Sequence, residues 1–378
     1  MSKAQGAKSH ITTLVIFAAA TVFATLILNR WIVSDLGLLS FGRVWQLYIS
    51  YADFGFMRRG FVGTLLSQTG ANTLFSNEYV FAHFIQFIAI AALALLTAMY
   101  CITNRLKNPV FLFGIAFSPA FLTHSGYATG TLDVFVLLIV LVNILYVRHY
   151  AVFSVLILIG VLTHELFIFT LPAQFLALHL NYRSRTPALN PAYLVPALTA
   201  LIATLLVVLF GQVGVPEAEF QEVMRAHLPN ANGQHTLWSG YFEVGSEVAR
   251  SISESHHLFL AVKEGRIVFL LPVLLYVGLL TLRALQYVRG NGELVLLIAA
   301  VVAPLLASFL ANDFHRWGGM GANMALLLTL RLAVREGDET SKWNLVLALC
   351  CLLAPFGAAE LERPFPLHFF VVESLWPS

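Results

Sequence analysis

The sequence predicts an all-α protein, a polytopic transmembrane helical bundle of about eleven crossings with its N-terminus inside and its C-terminus outside. Three observations carry that prediction. Of the 378 residues, 58% are hydrophobic and only 11% are charged, against about a quarter charged in a soluble domain. The apolar residues come in long runs split by short polar punctuation, as helices in lipid must, because each has to satisfy its own backbone hydrogen bonds. Lysine and arginine, finally, collect in every second connection.

The elements follow in order. After Lys3 and Lys8, a run from Ile11 without a small-residue cleavage site reads as an uncleaved first helix, 11–29. A long external loop, 30–78, leads to apolar spans at 79–101, 109–122, 132–147, 152–162, 165–180 and 193–213. A second long external loop, 214–266, alternates charged and apolar residues in helical spacing, suited to lying over the membrane face. Spans at 267–282, 293–311, 317–333 and 343–359 complete the chain. With Lys3 and Lys8 inside, the cytoplasmic turns carry Arg105 and Lys107, Arg148, Arg183 and Arg185, Arg283 and Arg289, then Arg335 and Lys342. Residues 1–378 read as a single integral-membrane domain, with neither an internal repeat nor a soluble catalytic domain.

One segment tests this scheme. Residues 152–180 are long enough for one tilted helix, yet Arg148 before them and Arg183 and Arg185 after them belong on the same side. The reconciliation is a hairpin of two short arms that turns near Thr163-His164-Glu165. Short helices that stop below the surface leave a wet cavity, the one place where irregular backbone is tolerated at membrane depth. Three cysteines, Cys101, Cys350 and Cys351, have no metal-ligand spacing. The net charge of +2, from basic residues scattered singly or in pairs, argues against a nucleic-acid partner.

The topology puts Asp53, Arg58, Arg59, His124, Asp133, His164, Glu165, Asp313, His315 and Arg316, from five segments, on one external face. Ionisable groups at membrane depth mark functional sites, although charges at helix ends also serve as anchors. In "SYADFGFMRRGFVGTLL" (50–66) the arginine pair departs from the positive-inside pattern and suits lipid phosphates, whereas Asp53 would repel them. "LTHELF" (162–167) lacks the second histidine of a zinc protease, because Ile168 stands there, and leaves a metal- or phosphate-contacting pair or a mutually satisfied one. "ANDFHRW" (311–317) offers a guanidinium fork suited to phosphate. Asp133, at a helix start after a glycine-rich turn, also fits a dipole-stabilising cap. His256 and His257 beside Glu254 have the residue types of a metal site, but the exposed polar face of the long loop is the simpler reading.

An isolated Asp53 near amphipathic stretches of a long first external loop, followed by many helices, resembles the GT-C superfamily of integral-membrane glycosyltransferases, and "YADFGFMRRGFVGTLL", "HELFIF" and "NDFHRW" look like a set shared by multi-pass proteins of bacterial polysaccharide clusters. The resemblance implies a GT-C-like fold in the bacterial inner membrane with its site facing the periplasm. It implies a polyprenyl-phosphate-linked sugar as donor and a glycan or lipid-linked acceptor, among membrane lipids. Carried over, Asp53 is the catalytic base, Arg58, Arg59 and Arg316 hold the donor phosphate, and His164, Glu165, Asp133, His124, Asp313 and His315 line the cavity or contact acceptor or metal. With no acidic pair in the first loop, the sequence departs from metal-dependent members, and a divalent cation stays open as cofactor. The alternatives are a transporter or flippase of lipid-linked glycans, and a membrane-embedded hydrolase or acyltransferase using His164 and Glu165.

Overall fold

The computed structural model describes residues 3–28, 44–127, 131–182, 190–229, 271–307, 314–336 and 343–353. Among them every regular element is helical. The α-helices are α1 (Lys3–Val22), α2 (Tyr51–Phe54), α3 (Gly60–Gln68), α4 (Glu78–Thr103), α5 (Pro109–Ala116), α6 (His124–Tyr127), α7 (Asp133–Leu145) and α8 (Tyr150–Thr163). They continue with α9 (Leu171–Tyr182), α10 (Pro191–Phe210), α11 (Glu217–His227), α12 (Leu271–Leu285), α13 (Asn291–Leu306), α14 (Phe314–Glu336) and α15 (Trp343–Leu353). Several starts are written in the sequence. Asn108-Pro109 and Asn190-Pro191 use one device, an asparagine side chain that accepts the first free amides and a proline whose missing N–H costs nothing at the first helical position.

Three helices, α4, α10 and α14, are long and apolar enough to cross a membrane, and several shorter apolar helices accompany them. Their burial separates their roles. Helix α14 runs through the middle of the bundle, with every residue from Trp317 to Leu330 buried. At Gly321 a Cβ would come within 2.9 Å of the Val301 carbonyl, so glycine is what lets α14 approach α13. Helix α10 is peripheral and turns Leu198, Leu201, Ile202, Leu205 and Leu209 outward, an apolar wall for lipid and a liability in water.

Residues 152–180 form the hairpin. In one continuous helix Phe153 and Phe175 would stand about 33 Å apart, whereas their ring centroids are 6.3 Å apart. The ring of Phe167 folds back over Gly160, where a Cβ would meet it at 2.3 Å. At the other end Asn181 Nδ2 donates to the Val147 carbonyl (3.2 Å) and the Tyr182 hydroxyl to that of Arg148 (2.9 Å).

That second end gathers the basic turns. Arg331 donates to Asn181 Oδ1 (2.6 Å), the Leu145 carbonyl (3.5 Å) and the Tyr100 hydroxyl (3.4 Å). Arg335 bridges Glu293 (3.2 Å) and Glu336 (2.7 Å). The C-terminal ends of α4, α7, α9 and α14 and the start of α13 are thus tied together by guanidiniums, which favour carbonyl-rich helix ends.

Candidate functional site

The opposite end is built on the first connection. Residues Val44 to Ile49 are buried, and Gly63 packs so closely on Ile49 that a Cβ would fall 2.0 Å from its carbonyl oxygen. Ser50 then caps α2: its Oγ accepts the Asp53 amide (3.2 Å) and donates to Asp53 Oδ2 (2.7 Å). The Ser50 hydroxyl thus satisfies a free amide of the first turn and at the same time holds the acid three residues on. The Tyr51 amide donates to Thr64 Oγ1 (2.7 Å), which holds α3 against α2. Between them Arg59 takes a left-handed conformation, φ 62°, unusual for a residue with a Cβ.

This unit docks on the end of α10. The Arg58 amide donates to the Gly211 carbonyl (3.0 Å) and the Gly214 amide to that of Phe54 (3.2 Å). Helix α11 follows directly and lays its apolar stripe, Phe220 and Met224, against the same unit, with the Phe54 and Phe220 rings 4.5 Å apart. The docking carries His227 to Asp53: Nε2 lies 3.3 Å from Oδ2, each side chain about one-third exposed at 32% and 30%. Both polar contacts of the carboxylate fall on Oδ2, so among the described residues Oδ1 has no hydrogen-bond partner.

The arginine pair faces the hairpin turn. Arg59 grips Glu165 in fork fashion, Nε to both carboxylate oxygens (3.1 and 3.0 Å) and Nη2 to Oε1. Arg58, 7% exposed, brings Nη1 to 3.8 Å from Oε1, beyond hydrogen-bond reach. His164, 1% exposed, accepts the Leu166 amide at Nδ1 (3.2 Å) and stands 3.4 Å from Glu165 Oε2. Glu165 opens the short helical segment Glu165–Thr170 that joins the turn at His164 to α9. Its burial would raise the carboxyl's pKa, but Arg59, foremost among the neighbouring charges, holds it well below the usual carboxylate range.

Of the residues singled out in the sequence, the fold brings Arg58, Arg59, His164 and Glu165 into one cluster and sets Asp53 on the same first-loop unit. Asp133 is buried in the first turn of α7. His124, His315 and Arg316 lie in helices, but their side chains, and Asp313 altogether, lie outside the described residues. The described residues contain no group of three His, Cys, Asp or Glu side chains placed to hold a metal.

Sequence reasoning missed His227. The available signal was its register: 220, 224 and 227 share one helical face, so a histidine that continues the Phe220-Met224 stripe goes where that stripe docks.

No protein-family model, no curated protein and no solved structure matches the chain.

Proposed function

We propose that this protein is a membrane glycosyltransferase that moves a sugar from a polyprenyl-phosphate-linked donor to a hydroxyl of a glycan or lipid-linked acceptor, at the periplasmic face of a bacterial inner membrane and on a GT-C-like scaffold. One observation supports it above the others. Asp53 is held through Oδ2 by Ser50 and His227 while Oδ1, on a partly exposed side chain, has no partner among the described residues, the arrangement required of a general base that must meet an incoming hydroxyl. A carboxylate that only capped α2 would have no use for a histidine from α11.

In this reading Oδ1 of Asp53 takes the acceptor's proton as that oxygen bonds to the anomeric carbon. The bond from that carbon to the phosphate oxygen breaks, and the electron pair leaves with polyprenyl phosphate. Arg58 and Arg59 hold the phosphate and stabilise the charge that grows on it. Because the leaving group is already a phosphate, it needs no strong acid.

The test is transfer of labelled sugar from a polyprenyl-phosphate donor in proteoliposomes. Asp53→Asn keeps the shape and the Ser50 contact but removes the base, so turnover falls about a hundredfold or more. A monodisperse Asp53→Asn protein that keeps more than half of the parent rate refutes the assignment.

A further inference from the structure

His227 adds little to the docking of α11. Phe220, Met224 and Leu228 are buried in the same apolar cluster as Ile49, Phe54 and Met57 of the first connection. Backbone bonds of Arg58 and Gly214 fasten the chain just ahead of the helix. The Nε2–Oδ2 contact joins two side chains that are each about one-third exposed, and ion pairs screened to that degree stabilise a fold little. What the docking does fix is the place of the imidazole. Met224 and Leu228, on either side of it in sequence, hold the last turn of α11 down, and its ring centroid stands 6.1 Å from that of the buried Tyr48.

An imidazole nitrogen that faces a carboxylate oxygen serves it as an N–H donor, because its lone pair would be repelled. The Ser50 hydroxyl donates to the same Oδ2 (2.7 Å). Ser50, three residues away on the same short helix, anchors that oxygen but leaves the carboxylate able to pivot about it. A second donor, brought from α11, removes the pivot and sets where Oδ1 points. At 3.3 Å the contact is slightly long for a settled N–H···O bond, as hydrogen bonds of catalytic groups often are until the reacting complex tightens them. We infer that His227 is a positioning residue: delivered by α11, it acts through Asp53 to aim Oδ1 at the acceptor hydroxyl, so that the site is complete only when the second long connection is docked on the first. This rests on Asp53 being the base, as proposed above, and adds the residue and the element on which that base depends. A histidine in the last turn of a helix also suits the negative end of the helix dipole, a role that the choice of variants separates from this one.

In the proteoliposome transfer assay, His227→Leu should lower kcat about tenfold or more and leave KM for the polyprenyl-phosphate sugar within about twofold of the parent, because misplacing a reacting group costs rate rather than donor binding. His227→Gln puts an amide N–H where Nε2–H stood and should recover to within about threefold of the parent kcat. A dipole role predicts no such recovery, since glutamine is uncharged. Parent kcat in His227→Leu, a loss confined to KM, or a His227→Gln enzyme as slow as His227→Leu overturns the proposal. Unfolding in SDS gives a readout apart from turnover. Both variants should unfold close to the parent midpoint, and a midpoint lowered alike in both marks a structural role and overturns the proposal. In an Asp53→Asn background His227→Leu should slow the residual transfer by less than about twofold, because it has nothing left to act through; a further loss as large as in the parent overturns it. An inactive Asp53→Asn enzyme beside an unimpaired His227→Leu enzyme leaves the base standing and removes this role alone, whereas an active Asp53→Asn enzyme removes both.

Discussion

Replacing Arg59 separates two opposed contributions at one residue. Its side chain grips Glu165 across 106 residues of sequence, while its backbone, at φ 62° and ψ 5°, occupies the left-handed region. Breaking a fully buried ion pair from one side costs about 3–5 kcal/mol. Here the partners are 16% and 21% exposed and Arg58 remains 3.8 Å from the carboxylate, so solvent screening and the second arginine bring Arg59→Ala down to about 2 kcal/mol. Arg59→Gly loses the same pair but sheds the left-handed penalty. After allowing for glycine's greater freedom in the unfolded chain, it recovers about 1 kcal/mol of that loss. Equilibrium unfolding in mixed micelles, titrated with SDS and followed by tryptophan fluorescence, measures both. The expected order is parent, then Arg59→Gly, then Arg59→Ala. An Arg59→Gly protein no more stable than Arg59→Ala refutes the strain argument, and an Arg59→Ala protein as stable as the parent refutes the claim that the pair fastens the first loop to the hairpin.

The same assay reads three further expectations with one change of probe. Gly63→Ala should cost about 3 kcal/mol, because its Cβ would meet the Ile49 backbone rather than a side chain able to move. Gly278→Ala, with nothing within 4 Å of the new Cβ, should stay within about 1 kcal/mol of the parent. The stabilisation from Glu165 follows pH by its sign: its carboxyl is depressed in the folded state, so its contribution is complete above the unfolded value near about 4.3 and is lost as pH falls through the lower folded value. The difference between parent and Arg59→Ala should therefore be flat from neutrality to about pH 5 and shrink only in stronger acid; a loss between pH 6 and 7 would contradict it. Finally, cysteines placed at 53 and 289, in a background lacking Cys101, Cys350 and Cys351, should react with impermeant thiol reagents from opposite sides of the membrane, and labelling from one side would break the topology.

How much was legible in the sequence differs by feature, for physical reasons. The hairpin was legible because charge asymmetry is a global constraint: Arg148 and Arg183 had to share a side, and only a reversal near His164 allows it, the reversal that the Phe153–Phe175 contact displays. The helix starts at Asn108-Pro109 and Asn190-Pro191 were local and equally open to reading. The pairing of Arg59 with Glu165 was not, although both residues were singled out. Which cation meets which acid depends on how the first loop docks on α10, and that rests on backbone bonds between Arg58 and Gly211 and between Gly214 and Phe54 that no side-chain pattern encodes. His227 lay in a stretch whose helical spacing was visible, but a helix of 11 residues with charged faces gives little sign of where it comes to rest.

The arginine pair also resolves the anomaly it created. Under the orientation that the basic turns favour, Arg58 and Arg59 lie on the side where arginine is unexpected, and lipid phosphates were one explanation for their place. The structure supplies another, since both guanidiniums are largely withdrawn from the surface and share Glu165. A charge neutralised within the fold does not report on orientation as a free loop charge does, so the departure from the positive-inside pattern loses its force as a topological objection.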